Sequence, residues 1–260
     1  MIGHSTSRAQ TAAILGSIAA LTILAWTYLI HLERQMSAAL ADDRMMAEMG
    51  MAVLEGPWTT ADVLFTFGMW AVMMVGMMAP SAAPVVLLAA RAGSTRAGAV
   101  SFLPVFFGAG YLLVWVGFSA IAALTQWALH DAALLLPMMT VASPRVAGAI
   151  LVGAGLYQLT PMKHACLTHC RSPLDFLMAH WRSGRAGAFR LGAHHGAYCL
   201  GCCWTLMAVL FVVGVMNLMW VAVIAALVLL EKTAQTAVSV SRIVGATMII
   251  VGLIRIVLNA

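Results

Sequence analysis

Seven stretches of this 260-residue chain are long and apolar enough to cross a bilayer, and they follow one another almost without interruption. A spanning helix takes about 20 apolar residues. Candidates fall near 12–30, 60–88, 99–126, 144–161, 195–216, 218–232 and 240–258. Lipid offers the backbone no hydrogen bonds, so such segments have to be helical. The predicted fold is therefore all-α, a polytopic membrane helix bundle with about seven transmembrane helices. Six are possible, because 205–230 reads as nearly continuous hydrophobicity and only Gly214 and Asn217 argue for a hairpin there. Composition agrees: 63% of residues are hydrophobic and 9% charged, whereas a soluble globule carries about a quarter charged residues. The whole chain, residues 1–260, is read as one integral membrane domain. Its first apolar stretch, Thr11 to Ile30, is longer than the 7–15 or so residues of a signal-peptide core, so it is read as a retained anchor.

Basic residues set the expected orientation, since cytoplasmic loops carry the excess of Lys and Arg. With the N-terminus inside, Arg8, Arg91, Arg96, Lys163, Arg171, Arg182, Arg185, Arg190, Lys232 and Arg242 are cytoplasmic, and only Arg34, Arg44, Arg145 and Arg255 lie outside. The acids Glu33, Asp42, Asp43, Glu48, Glu55, Asp62 and Asp131 sort to the other face. Two connections stand out. Residues 31–57 form a Met- and acid-rich extracytoplasmic loop, and residues 162–193 form a basic, Cys- and His-bearing cytoplasmic loop. The expected location is the bacterial inner (cytoplasmic) membrane. Nucleic acid is excluded as a partner, because the net charge of +5 marks topology and not a basic patch on a soluble domain.

The chemistry concentrates in two clusters that hold all five cysteines. One is His194-His195-Gly-Ala-Tyr198-Cys199-Leu-Gly-Cys202-Cys203, at the mouth of the fifth apolar segment, and the other is Cys166-Leu-Thr-His169-Cys170. On a helix, Cys199 and Cys203 are i, i+4 neighbours with His195 one turn before, and Cys166 and Cys170 repeat the relation provided Pro161 does not break the stretch. Under the predicted topology both clusters reach the same membrane face. Thiolates with imidazoles suit Zn(II) and Cu(I), while hard cations would want carboxylates. The 19 methionines tilt the choice toward copper, with zinc second. Met36, Met45, Met46, Met49 and Met51 sit in the outer loop, and Met69, Met73 and Met77 form an i, i+4, i+8 stripe that could pass a soft ion inward. The bland reading of that stripe is packing, since methionine is an ordinary gap filler. The expected metal ligands are Cys166, His169, Cys170, His194, His195, Cys199, Cys202 and Cys203, with His164 as an extra. His4, His31, His130 and His180 are read as solvated or interfacial, and Lys232 as snorkelling to the interface beside Glu231. Pro80 and Pro84 either kink the second span or form its exit.

Three strings resemble a known family: Trp70-Ala-Val-Met73-Met74-Val-Gly-Met77-Met78-Ala-Pro80, then Tyr157-Gln158-Leu-Thr160-Pro161-Met-Lys163 through Cys166, His169 and Cys170 to Pro173, and His195-Gly-Ala-Tyr198-Cys199-Leu-Gly-Cys202-Cys203-Trp204 through Asn217 to Lys232. Over about Trp58 to Lys232 the chain is similar to the bacterial predicted metal-binding integral membrane proteins, a group with a domain of unknown function. That likeness implies metal binding and names no metal, reaction or partner. The vicinal Cys202-Cys203 pair also resembles the paired cysteines of small mercury-transport membrane proteins, which keeps soft-metal translocation open.

The expected function is handling of a soft metal, most of all Cu(I), for uptake or for delivery to a membrane metalloenzyme. Two alternatives stand beside it: an accessory or structural subunit of a larger membrane enzyme, and a membrane thiol-disulfide oxidoreductase using Cys199 and Cys202. The chain has no Gly-x-Ser-x-Gly, phosphate-binding glycine loop or His-Glu-x-x-His, so no enzyme is expected beyond those.

Overall fold

Helix propensity, not only hydrophobicity, decides where the elements of this protein begin and end. The computed structural model describes residues 8–49, 56–94, 102–135, 140–234 and 237–258. Among these residues there are nine α-helices and no strand beyond an isolated bridge between Leu135 and Val141. They are α1 (Arg8–Glu48), α2 (Thr60–Ser94), α3 (Leu103–Asp131), α4 (Pro144–Gln158), α5 (Pro161–Arg171), α6 (Pro173–His180), α7 (Gly184–Val213), α8 (Leu218–Thr233) and α9 (Ala237–Leu258). His4, Met51, Glu55 and Arg96 lie outside the described residues.

Both expected loops need correction. The outer loop 31–57 is helix as far as Glu48, continuous with α1 over 41 residues. Residues 31–48 are rich in Ala, Leu, Met, Glu and Arg and hold no Gly or Pro, so the strongest helix formers carry the helix past the end of the apolar stretch. The loop 162–193 is likewise α5, α6 and the first turns of α7. Prolines open these short helices: Pro144, Pro161 and Pro173 each stand in the first turn, where a missing N–H costs nothing. Pro161 therefore starts the cysteine helix α5 and does not break it. Thr160, held in extended backbone before the proline, caps α5 by accepting from Lys163 N and separates it from α4. Pro80 and Pro84 both lie inside α2, so they do not form its exit.

Among the described residues, five helices are long and apolar enough to span a bilayer: α1, α2 (over Thr60–Ala92), α3, α7 and α9 (over Val238–Leu258). The other two expected spans are helices of 15 (α4) and 16 residues (α8), about 23 Å long against a hydrocarbon core of about 30 Å. The hairpin at Asn217 is present. Gly214, with φ +100°, ends α7, and the Asn217 side chain accepts from Trp220 N to start α8.

Helices α2 and α7 form the centre. α3 packs against both, α4 lies between α7 and α9, α5 covers α7, and α1 flanks α2. Glycine sets the closest approaches. A Cβ on Gly192 would overlap the Phe107 carbonyl and one on Gly110 the Phe189 carbonyl, so α3 and α7 meet backbone to backbone. Gly148 faces Gly252 and Gly155 faces Gly245 across α4 and α9 in the same way, while the space beside Gly153 is open. Such small-residue seams let apolar helices associate through van der Waals contact. Trp70 anchors the centre, donating from Nε1 to Gln126 Oε1 at 2.7 Å and stacking on Phe211 at 5.3 Å.

Candidate metal centre

Cysteines 199, 202 and 203 lie near the middle of α7, not at a helix start. The helix begins at Gly184, because the Gly/Ala-rich segment before the apolar run continues it. The macrodipole acts only within the first turn, so it cannot activate Cys199 or Cys202. All three cysteines are buried, as is Cys170; Cys166 is half-buried, and all five thiols are free.

α5 lies alongside α7 and brings the two cysteine clusters together. Cys166 and Cys170 are one turn apart on α5, as the spacing predicts. The Cys170 thiol is within hydrogen-bonding reach of Cys202, which also contacts Cys203, and Cys203 in turn contacts Cys199. The Cys166 sulfur rests on Gly201, where a Cβ would come within 2.9 Å of it. Glycine at 201 thus makes room for the fifth thiol, and Tyr157 Oη donates to the Gly201 carbonyl beside it. The Cys202 and Cys203 thiols both donate to the Cys199 carbonyl, at 3.1 and 2.8 Å. Among the described residues, no three His, Cys, Asp or Glu side chains are closed around one point as metal ligands. The thiols are gathered, but those of Cys202 and Cys203 are directed at backbone oxygen.

Cys199 has two further polar neighbours that the sequence did not reveal as such. Lys232 Nζ donates to Cys199 Sγ at 2.9 Å and to Ser81 Oγ at 2.9 Å. Lys232 therefore does not snorkel away; it turns inward and sets a positive charge against the thiol. Tyr111 Oη lies 3.0 Å from the same sulfur and 3.2 Å from the Met78 carbonyl. Behind this group lies a buried ion pair: Lys163 Nζ donates to both oxygens of Glu231 at 2.8 Å and also to Gln158 Oε1, and Ser241 Oγ donates to Glu231 at 2.7 Å. Adjacent residues of α8 thus hold both cysteine helices, Glu231 through α5 and Lys232 through α7. The tandem Glu231-Lys232 was the signal for this in the sequence; nothing marked Tyr111 or Ser81.

The histidines divide. His195, 2% exposed, packs beside Tyr111, Phe107 and Phe176, and its Nδ1 is buried with no hydrogen-bond partner. One turn from Cys199, it is the buried imidazole of α7 and shares Tyr111 with the Cys199 thiol. His194 is exposed, and His169 stacks on Tyr198 with its Nδ1 2.8 Å from the Ala165 carbonyl. Neither joins the thiols. His164 lines a separate cavity with Arg171 and Val238. Met69, Met73 and Met77 are all buried along α2, and the adjacent Met78 offers the carbonyl bound by Tyr111. At the end of α1, by contrast, Met45 and the following Met49 are exposed.

No curated protein and no solved structure matches this chain. Residues 67–255 match the profile of the PpoB2 family, whose description is copper chaperone, and the matched region contains every cysteine, Lys232, Tyr111 and the Met69–Met78 segment. A chain with five gathered thiols and a match over that length belongs to the PpoB2 family of copper chaperones.

Proposed function

We propose that this chain is an integral protein of the bacterial inner membrane that carries Cu(I) on the buried thiols of Cys199, Cys202, Cys203 and Cys170 and delivers it to a membrane metalloenzyme. The observation that carries the reading is Lys232 against Cys199. A Cu(I) ion on two thiolates has a charge of −1, and an isolated charge is costly in an apolar interior. The Lys232 ammonium brings the sum to zero. A tetrathiolate Zn(II) would carry −2 and leave a net charge buried, while Lys163 and Glu231 already neutralise each other. Charge balance therefore fits a bis-thiolate Cu(I) and disfavours a four-thiolate Zn(II), and the buried methionines of α2 and the copper-chaperone family match point the same way.

Binding exchanges two S–H protons for one Cu(I), so the donors must release the Cys199 carbonyl and turn toward the ion. His195, with its unpartnered nitrogen one turn before Cys199, supplies an imidazole at the edge of the thiol group, and Cys166 is a reserve donor. In this reading the Met- and acid-rich end of α1 lies outside, the N-terminus is cytoplasmic, and Met69, Met73 and Met77 connect the outer side to the thiols. The oxidoreductase alternative loses its main support, since Cys199 and Cys202 are far from the helix start and buried.

The test is metal analysis of the full chain extracted from alkali-washed bacterial membranes, wild type beside Cys199→Ser/Cys203→Ser. About one copper per chain, lost in the variant, is expected. Zinc in place of copper would favour the accessory-subunit reading. A chain released by the alkaline wash would refute the membrane assignment.

A further inference from the structure

A second set of ligands sits near the start of α7, outside the thiol group. α5, α6 and α7 contribute one histidine each: His169, His180 and His194. The rings of His180 and His194 lie 4.4 Å apart at 86°, and His169 and His194 both stack on Tyr198, at 4.4 and 4.9 Å. Phe176 touches His180, His194 and the buried His195, with ring centroids at 5.1, 5.9 and 5.3 Å, so one aromatic wall joins this group to the imidazole next to the thiols.

The tautomer of His180 is set by its surroundings. Its Nδ1 lies 3.1 Å from the Phe176 carbonyl, one turn back. A carbonyl only accepts, so Nδ1 carries the proton and Nε2 keeps a lone pair. Histidines that bind metals are oriented by this kind of bond. His180 and His194 also line a cavity of about 420 Å³, together with Arg182 and Arg190. Two guanidinium groups, which cannot lose their charge, repel a bare cation and attract an anion. Imidazole donors beside fixed positive charge therefore fit copper that arrives or leaves inside a negatively charged complex.

We propose that His180 and His194 form a copper-exchange site at which Arg182 and Arg190 dock an anionic small-molecule thiolate complex of Cu(I). Two Cu–S bonds to the carrier break, two Cu–N bonds form, copper stays Cu(I), and the released thiolates take protons from water. His195, adjacent on α7 and one turn from Cys199, leads from this pair to the buried thiols. The proposal rests on the reading of those thiols as the copper site.

The experiment uses the full chain in detergent, loaded with Cu(I) from its anionic bis-bicinchoninate complex or from its cationic acetonitrile complex. His180→Ala/His194→Ala is expected to slow loading from bicinchoninate by about tenfold or more while the buried thiols still fill. Arg182→Gln/Arg190→Gln is expected to slow loading from bicinchoninate by about tenfold and to leave loading from acetonitrile unchanged. Cys199→Ser/Cys202→Ser/Cys203→Ser, empty as isolated, is expected to take up about one copper from excess Cu(I) in a nitrogen-only shell by X-ray absorption, abolished on adding His180→Ala/His194→Ala. Loading rates of the histidine and arginine variants within about twofold of wild type, or no copper taken up by the cysteine variant, would overturn the exchange site. A nitrogen-only shell already in the wild type, unchanged in the cysteine variant, would instead overturn the thiol reading and leave the imidazole pair standing.

Discussion

Removing Lys163 should cost more than removing Lys163 and Glu231 together. Lys163 is fully buried, Glu231 is 2% exposed, and two 2.8 Å hydrogen bonds join them. Lys163→Met leaves the Glu231 carboxylate with Ser241 as its remaining donor among these bonds, deep inside an apolar bundle. Breaking a buried pair from one side costs about 3–5 kcal/mol, whereas replacing both partners by apolar groups of similar volume is about neutral. At about 1.4 kcal/mol per decade, the single variant shifts the folding equilibrium by two to three and a half decades or so. Gln158 Oε1 also loses its donor, which adds to the cost. The assay is denaturant unfolding in detergent of wild type, Lys163→Met, Glu231→Leu and the double variant. Each single variant is expected to lose about 3 kcal/mol or more, and the double variant to recover most of it. Equal stability of the single and double variants would refute the buried-pair reasoning. Because α5 also carries Cys166 and Cys170, Lys163→Met should in addition weaken copper binding, measured by competition with a Cu(I) chelator.

Lys232→Met removes the charge that balances a bis-thiolate Cu(I); Cu(I) affinity should fall by about tenfold or more, with Lys232→Arg falling less, read by the same competition titration. Gly192→Ala forces a Cβ into the Phe107 carbonyl and should destabilise by about 1–3 kcal/mol, while Gly153→Ala, with open space around it, should not; unfolding midpoints compare the two. Gly214→Ala places a side chain at φ +100° and should cost about 1 kcal/mol or more, again seen in the midpoint.

Much of the fold was legible because hydrophobic length and helix punctuation report on the chain locally. Gly214 and Asn217 marked the α7–α8 hairpin, and the i, i+4 spacing of Cys166 with Cys170 survived because Pro161 stands where a helix tolerates proline. Boundaries were less legible. Residues 31–48 and 184–194 lack the apolar run of a span but keep helical propensity, so helices extend where loops were expected. That shift moved Cys199 and Cys202 from a helix start to a helix middle and removed the dipole argument for redox chemistry. The thiols were found from their sequence clustering. Their polar neighbours were not, because Lys232, Tyr111 and Ser81 reach the site from three other helices and share no local pattern with it. His180 was passed over for the same reason: its partner His194 is on a different helix.

The most direct test of the central claim is copper K-edge X-ray absorption on the Cu(I)-loaded full chain, wild type beside Cys199→Ser/Cys202→Ser/Cys203→Ser. A shell dominated by sulfur in the wild type, lost in the variant, is the expected result. A sulfur shell unchanged in the variant would move the copper off the α7 thiols, to Cys166 and Cys170 or to methionine, and a nitrogen or oxygen shell in the wild type would contradict a thiolate carrier.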